Sequence, residues 1–316
     1  GCVFHVMARE PEPGAAPENL TWLVWGRRAF HRAEVQSAVD DLKAISWKRF
    51  HHNFLRFNTT PANLDWFDDH ASVLINAELA AWVAKEGKAR GILLDVEQYE
   101  GGLFRFAKQR DASTRSFEDY ANQARKRGQE VVSAFQRGYP GLTVFLTFGP
   151  SLPLTQRKEG TVPLKDCEYG LLLPFLDGMI AAAEGGTRIV DGHELSYGWT
   201  DPTRFALAAR TIKGQALQDT SNPARSAAVI SAGFGLWLDY DWRNKGWNET
   251  DPTRNHFTPI SFEASLNAAL KAADQYVWIY TETPRWWTPG GETAHLPAAY
   301  VEAIRRARAT VGRPPR

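Results

Sequence analysis

The sequence has almost no cysteine, no surplus of charge of either sign and no long apolar run, and each absence removes a class of protein. Only Cys2 and Cys167 occur among the 316 residues. Two cysteines build neither a disulfide scaffold nor a cysteine-based zinc site, although one bridge between them stays open. Lys and Arg number 37 against 36 Asp and Glu, a formal net charge of +1. No electrostatic surplus is therefore available to hold a nucleic acid by its phosphates. No stretch of 18 apolar residues occurs, so no membrane span is expected. Several motifs are missing as well. No G-x-G-x-x-G follows a strand, and Gly233-Phe-Gly235 runs into Leu236-Trp237 rather than into a helix start. There is no Walker loop, no G-x-S-x-G elbow, no H-x-H and no H-E-x-x-H. No lysine closes a strand candidate, so Schiff-base chemistry has no support. No cofactor and no metal site is expected from the motifs. The opening GCVFHVMA lacks the basic start and small-residue cleavage site of a leader and reads as a first strand.

What is present is apolar and aromatic. Hydrophobic residues make up 43%, enough for a large core. There are 12 Trp, 9 Tyr and 17 Phe, and several Trp stand in polar, loop-like segments, which suggests a ligand with flat apolar faces such as a sugar. Apolar strand-like runs alternate with amphipathic helical ones. Strands are expected at 2–7, 21–25, 53–58, 91–96, 142–148, 187–190, 227–238 and 275–280. Helices are expected at 33–45, 71–86, 117–136, 171–184, 203–217, 261–273 and 296–311. The Ser116-x-x-Asp119 pair marks one helix start and Gly185-Gly186 one stop. Regular alternation implies parallel strands with crossover helices. About eight strands over this length fit a single (β/α)₈ TIM-type barrel spanning 1–316, with aromatic-rich βα loops.

Activity in that fold sits at the C-terminal ends of the strands. Three strand ends bear carboxylates. The run Gly91-Ile-Leu-Leu-Asp95-Val-Glu97-Gln-Tyr99 places Asp95 and Glu97 at alternate positions, hence on one face. Two acids side by side push their pKa values apart, so one can stay protonated as a general acid. A second run, Asp191-Gly-His193-Glu194-Leu-Ser-Tyr197-Gly-Trp199, follows strand six. Glu194 is its candidate acid, with His193 and Trp199 as substrate contacts; Asp191 reads equally well as a turn residue. A third run ends strand eight in Tyr280-Thr-Glu282, followed by Trp286 and Trp287 in a proline-containing loop. A softer cluster after strand seven supplies Asp239 and Trp242. The 53–58 segment offers Asn53 or Arg56 near the same mouth.

The Asp95-Val-Glu97 strand end resembles the catalytic strand of barrel glycoside hydrolases, notably the family 18 chitinases with their Asp-x-Asp-x-Glu run. Leu93 stands where that pattern has its earlier Asp. The resemblance implies Glu97 as the acid and Asp95 as its helper. Drawing acids from strands four and six, as Glu97 and Glu194 would, is similar to α-galactosidase-like enzymes.

The expectation is a glycoside hydrolase acting on a polysaccharide or oligosaccharide. Glu97 is one carboxylate of the pair, Glu282 or Glu194 the other, and Asp95 tunes them. Tyr99, His193, Trp199, Asp239, Trp242, Tyr280, Trp286 and Trp287 bind the sugar. The polymeric substrate places the protein outside the cell or in the envelope. Two rivals remain: a non-catalytic carbohydrate-binding barrel, and a divalent-metal lyase or isomerase using Asp95, Glu194 and Glu282.

Overall fold

Residues 91–95 are Gly-Ile-Leu-Leu-Asp, and all five are buried. A strand buried on both faces needs cover on each side, as strands of a parallel sheet have. In the computed structural model this strand lies inside such a sheet. The structure describes residues 1–9, 16–59, 64–158, 160–241 and 246–312. The strands in chain order are β1 Val3–Phe4, β2 Met7–Ala8, β3 Glu18–Asn19, β4 Phe54–Asn58, β5 Gly91–Asp95, β6 Thr143–Leu146, β7 Arg188–Asp191, β8 Ile230–Ala232, β9 Phe234–Trp237 and β10 Val277–Tyr280. The α-helices are α1 Leu20–Leu23, α2 Arg32–Ala44, α3 Ala71–Glu86, α4 Phe117–Gly138, α5 Ser151–Gln156, α6 Leu172–Ala182, α7 Thr203–Lys213, α8 Gln215–Gln218, α9 Pro223–Val229, α10 Pro259–Ala272 and α11 Ala298–Thr310. The fold is mixed α/β. It divides into two compact units, 1–191 with 215–230, and 192–214 with 231–316. No helix among the described residues is long and apolar enough to cross a membrane.

Unit one holds β1, β4, β5, β6 and β7 of the main sheet, neighbours in that order, and the first residue of β8. The pairs from β1 through β7 are parallel. Parallel neighbours need crossovers, and α3, α4 and α6 stand between successive strands from β4 to β7. Alternation sends Leu55, Phe57, Ile92 and Leu94 to the face that helices cover; Phe57 meets Phe135 of α4 edge-on at 5.2 Å. The α4 start is the capping box expected from the sequence. Ser116 Oγ accepts the Asp119 amide at 3.1 Å, and Asp119 accepts the Ser116 amide at 2.9 Å.

Two glycines bring α4 and α6 together. A Cβ on Gly128 would lie 2.0 Å from the Phe175 carbonyl oxygen, and one on Gly178 would lie 1.9 Å from that of Arg125. Gly128→Ala is expected to destabilise by about 1–3 kcal/mol through overpacking, even though alanine is the better helix former. Urea unfolding checks this as a lowered midpoint at unchanged slope.

The strand expected at 2–7 is split into β1 and β2, the helix expected at 203–217 breaks at Gly214, and three further segments differ. Residues 21–25, Thr-Trp-Leu-Val-Trp, read as a strand, but Leu20–Leu23 is helical. Asn19 Oδ1 accepts the Trp22 amide at 3.3 Å and caps it, while Val24 and Trp25 enter the core. Here a local cap and burial outweigh β-propensity. Residues 227–229 end α9, which Asn222 caps and Pro223 starts, so the long seventh strand begins only at Ile230 and breaks between β8 and β9. The proline-rich stretch 149–164 contains α5, whose start is held by a distant carboxylate described below.

His70 lies in the unit-one core, with Trp25 edge-on at 5.8 Å and Trp66 stacked at 6.5 Å. Its Nδ1 is 2.9 Å from the Asp68 carbonyl oxygen, which only accepts, so the ring hydrogen sits on Nδ1. Burial pulls its pKa below the ordinary value; Arg127 pulls the same way, against the Asp68 carbonyl, Glu130 and Asp68 charge. The unfolded chain then binds more protons than the fold once pH drops below about 6.5. Stability is therefore expected to fall as pH falls from there through the lowered folded pKa. Urea unfolding between pH 7.5 and 5 checks it, and His70→Asn is expected to flatten that slope.

In unit two, β9 and β10 pair in parallel, with Phe234 opposite Val277 and Trp237 opposite Tyr280. α10 packs against α7 and α11. Thr258 caps α10 and Pro259 starts it. Tyr300 of α11 is fully buried, and its hydroxyl donates to the Phe257 carbonyl at 2.7 Å.

Candidate active site

The register of unit one assembles one polar face. Phe4 pairs with Leu55, Arg56 with Leu93 and Asn58 with Asp95. Partners across a sheet share a face, and successive residues alternate. His5, one residue beyond β1, therefore joins Arg56, Asn58 and Asp95 at the C-terminal edge, on the face opposite Phe57 and Leu94.

Asp95 is 2% exposed and fully engaged. Its Oδ2 accepts from Arg56 Nη2 and from Asn58 Nδ2 at 3.4 Å, and lies 3.2 Å from the Tyr99 hydroxyl oxygen. Its Oδ1 accepts the Glu97 amide at 3.1 Å. Glu97 is half-buried, and its Oε1 lies 2.9 Å from the same Tyr99 hydroxyl. Arg56 Nη2 also donates to the Tyr99 oxygen at 3.1 Å. A phenol has one hydrogen, so the two carboxylates compete for it. Asp95 has three other donors, and the Glu97 contact is shorter. The proton thus points to Glu97, and Arg56–Tyr99–Glu97 forms a directed chain.

Electrostatics fixes these roles. Partial burial raises the Tyr99 pKa above its ordinary value, and Asp95 and Glu97 raise it further against the pull of Arg56. Tyr99 stays a donor at every working pH. Burial works against the Arg56 cation, but Asp95, Tyr99 and Glu97 outweigh it and the pKa of Arg56 is raised. The Arg56 guanidinium lies 5.5 Å from the Trp22 ring centre and 5.7 Å from that of Tyr99, and the two rings are 5.2 Å apart. Indole and phenol thus flank the cation on the edge where Glu97 sits.

Asp191 serves another purpose. It pairs with Leu146, which pairs with Leu94, so it lies on the face opposite Asp95. Its carboxylate accepts the Gly149 amide at 3.1 Å and the Ser151 amide and hydroxyl at 3.3 and 2.7 Å, and so holds the start of α5. Asn53 stands at the opposite end of β4 from the site, bound to the Cys2 amide and the Phe50 carbonyl. Of the two alternatives in that segment, Arg56 is at the site.

Unit two gathers the other expected residues in three groups. Asp239 is buried and accepts the Trp237 indole N–H at 3.0 Å and the amides of Glu282 and Thr283 at 3.1 and 2.8 Å, which sets the turn after β10. Glu282 accepts the Tyr280 hydroxyl at 3.2 Å, and Tyr280 stacks on Tyr197 at 5.8 Å. His193 follows Gly192 in a left-handed conformation with φ 42°, a position that strains a side-chain-bearing residue. Its ring sits edge-on to Trp199 at 5.3 Å and to Phe234 at 5.6 Å. Glu194 is buried in the 3₁₀ turn that follows. The loop bearing Trp286 and Trp287 is pinched by an Arg285–Ala294 bridge, and Trp287 is 56% exposed. Trp242 lies outside the described residues.

Sequence reading missed His5, Trp22 and Asn58 as site residues. Asn58 was within reach, since it alternates with Arg56 on one strand. Among the described residues no group of three or more His, Cys, Asp or Glu is placed to hold a metal ion. No protein-family model, no curated protein and no solved structure matches the chain.

Proposed function

We propose that the protein is a glycoside hydrolase of the (β/α)₈ type, with Glu97 as its acid. One observation carries the reading: a single tyrosine hydroxyl links Asp95 and Glu97 at the C-terminal edge of β5, with Trp22 and Tyr99 beside them. The fold part is supported by strands that run parallel in chain order with helices between them. Hydrolysis needs a proton on the leaving oxygen and a second carboxylate that attacks the anomeric carbon or activates water. Glu97 supplies the proton. Asp95, buried and held by Arg56, is the fixed negative charge beside it. The sequence offers Glu282 and Glu194 as the second carboxylate, and a Gln variant of each tests it. Tyr99 and the aromatic side chains of the βα loops take the sugar faces. A polymeric substrate places the work outside the cell or in the envelope.

The metal-dependent alternative draws less support, because Arg56 already neutralises the Asp95 carboxylate a cation would need. The test is release of reducing ends from a broad polysaccharide panel, with and without EDTA. Release that EDTA leaves unchanged is the expected result. Binding without release would favour the non-catalytic reading, and release abolished by EDTA the metal one.

A further inference from the structure

His5 has no part in the chemistry above, yet the hydrogen bonds around it determine its protonation. Its Nδ1 lies 2.9 Å from Thr21 Oγ1. Thr21 Oγ1 lies 2.7 Å from Asn19 Oδ1, and that same atom accepts the Trp22 amide. An amide N–H only donates, so the Asn19 atom is its carbonyl oxygen and not its nitrogen. A carbonyl oxygen only accepts, so the single Thr21 hydroxyl hydrogen goes to Asn19. The Thr21 oxygen then accepts from His5, and the ring hydrogen sits on Nδ1. Nε2 of the neutral ring is a bare acceptor. Partial burial and the Arg56 charge lower the His5 pKa, against Asp95, which keeps the ring neutral at neutral pH.

Arg56 is the neighbour of His5 on the same face. Its Nη2 hydrogens go to Asp95 and Tyr99. Nη1 and Nε add three hydrogens to the fork. A bare acceptor thus continues the β1 register beside the residue that bears the spare donors, and the Arg56 charge acts on the His5 ring. We propose that His5 and Arg56 form a hydroxyl-binding pair: His5 Nε2 accepts a hydrogen from one ligand hydroxyl, and Arg56 donates to an adjacent oxygen. The ligand class is an uncharged sugar ring with neighbouring hydroxyls. Asp95 already balances the Arg56 charge, so no spare positive charge is left for an acidic sugar, which is disfavoured. The inference rests on the glycosidase reading for the ligand being a sugar, and not for the state of the imidazole.

The experiment uses the full chain with ¹⁵N-labelled imidazoles. NMR is expected to show neutral His5 protonated on Nδ1 and bare on Nε2; the opposite tautomer overturns the proposal whatever the activity. On the glycan that wild type hydrolyses best, His5→Phe is expected to raise KM about ten-fold, the scale of one lost hydrogen bond, while kcat changes far less. Wild-type KM should climb only as pH falls below about 6.5, the ordinary imidazole value, as the acceptor is protonated. Thr21→Val, which removes the lock, should give mixed tautomers and a smaller rise in KM. An unchanged KM in both variants overturns the proposal while leaving the hydrolase reading standing. If wild type releases nothing from any glycan, the hydrolase reading fails separately, and titration with cellohexaose, mannohexaose, xylohexaose and a galacturonic acid hexamer decides. A His5 Nε2 shift with a neutral hexamer and none with the acidic one supports the pair. No shift with any of them, or one only with the acid, overturns it.

Discussion

The Glu97→Gln variant is expected to lose about 10²–10⁴-fold in kcat on a natural glycan, the usual contribution of a positioned acid or base. Gln has the shape of Glu, and its amide oxygen still accepts the Tyr99 hydroxyl, so melting temperature and KM should hardly move. What disappears is the transferable proton. The variant therefore distinguishes roles as well as testing one. An aryl glycoside with an acidic phenol as leaving group needs little protonation. If Glu97 is the acid, release of that phenol in the first turnover should be far less impaired than hydrolysis of the glycan. If both substrates lose equally, Glu97 is the carboxylate that attacks or activates water, and Gln variants of Glu282 and Glu194 test each of them as the acid. Release that survives on the natural glycan would remove Glu97 from the chemistry altogether.

The sequence shows a carboxylate at a strand end but not what the carboxylate binds. Asp95, Asp191 and Asp239 all follow short apolar runs. Asp191 receives amides from Gly149 and Ser151, and Asp239 receives those of Glu282 and Thr283. Both tie loops together, and their partners lie some 40 residues away in the chain. Among the described residues the Asp95 carboxylate receives one backbone amide, that of Glu97, and otherwise side chains, with its cation 39 residues distant. No local pattern separates these cases. The alternation of Asp95 and Glu97, in contrast, is local, and the structure brings both within reach of one hydroxyl, that of Tyr99. His5 was hidden for a related reason. Its fixed tautomer depends on Asn19 and Thr21, which make up the cap and first turn of a helix whose residues have strand propensity. A segment read as β could not suggest a capped turn, and so could not suggest the hydroxyl that orients the ring.

Arg56→Ala is expected to be the most destabilising change at the site, by about 3–5 kcal/mol, because it leaves a buried carboxylate without its cation. The Asp95 side chain is 3% exposed and that of Arg56 21%, so water cannot replace the guanidinium fully. Asn58 and the Glu97 amide still donate to Asp95, but neither carries charge. Asp95→Asn should cost less, since the stranded Arg56 keeps Tyr99 and reaches solvent. The double variant has no buried charge left and should cost clearly less than the two single changes together. That difference is the coupling of the pair, and for residues in direct contact it falls at about 0.5–3 kcal/mol. Urea midpoints at constant slope measure all three. Salt separates a buried pair from a surface one: at 1 M, where the Debye length is about 3 Å, an exposed pair is screened while this coupling should persist. Additive costs would mean instead that Asn58 and the backbone hold Asp95 by themselves, and that Arg56 is there for the ligand alone.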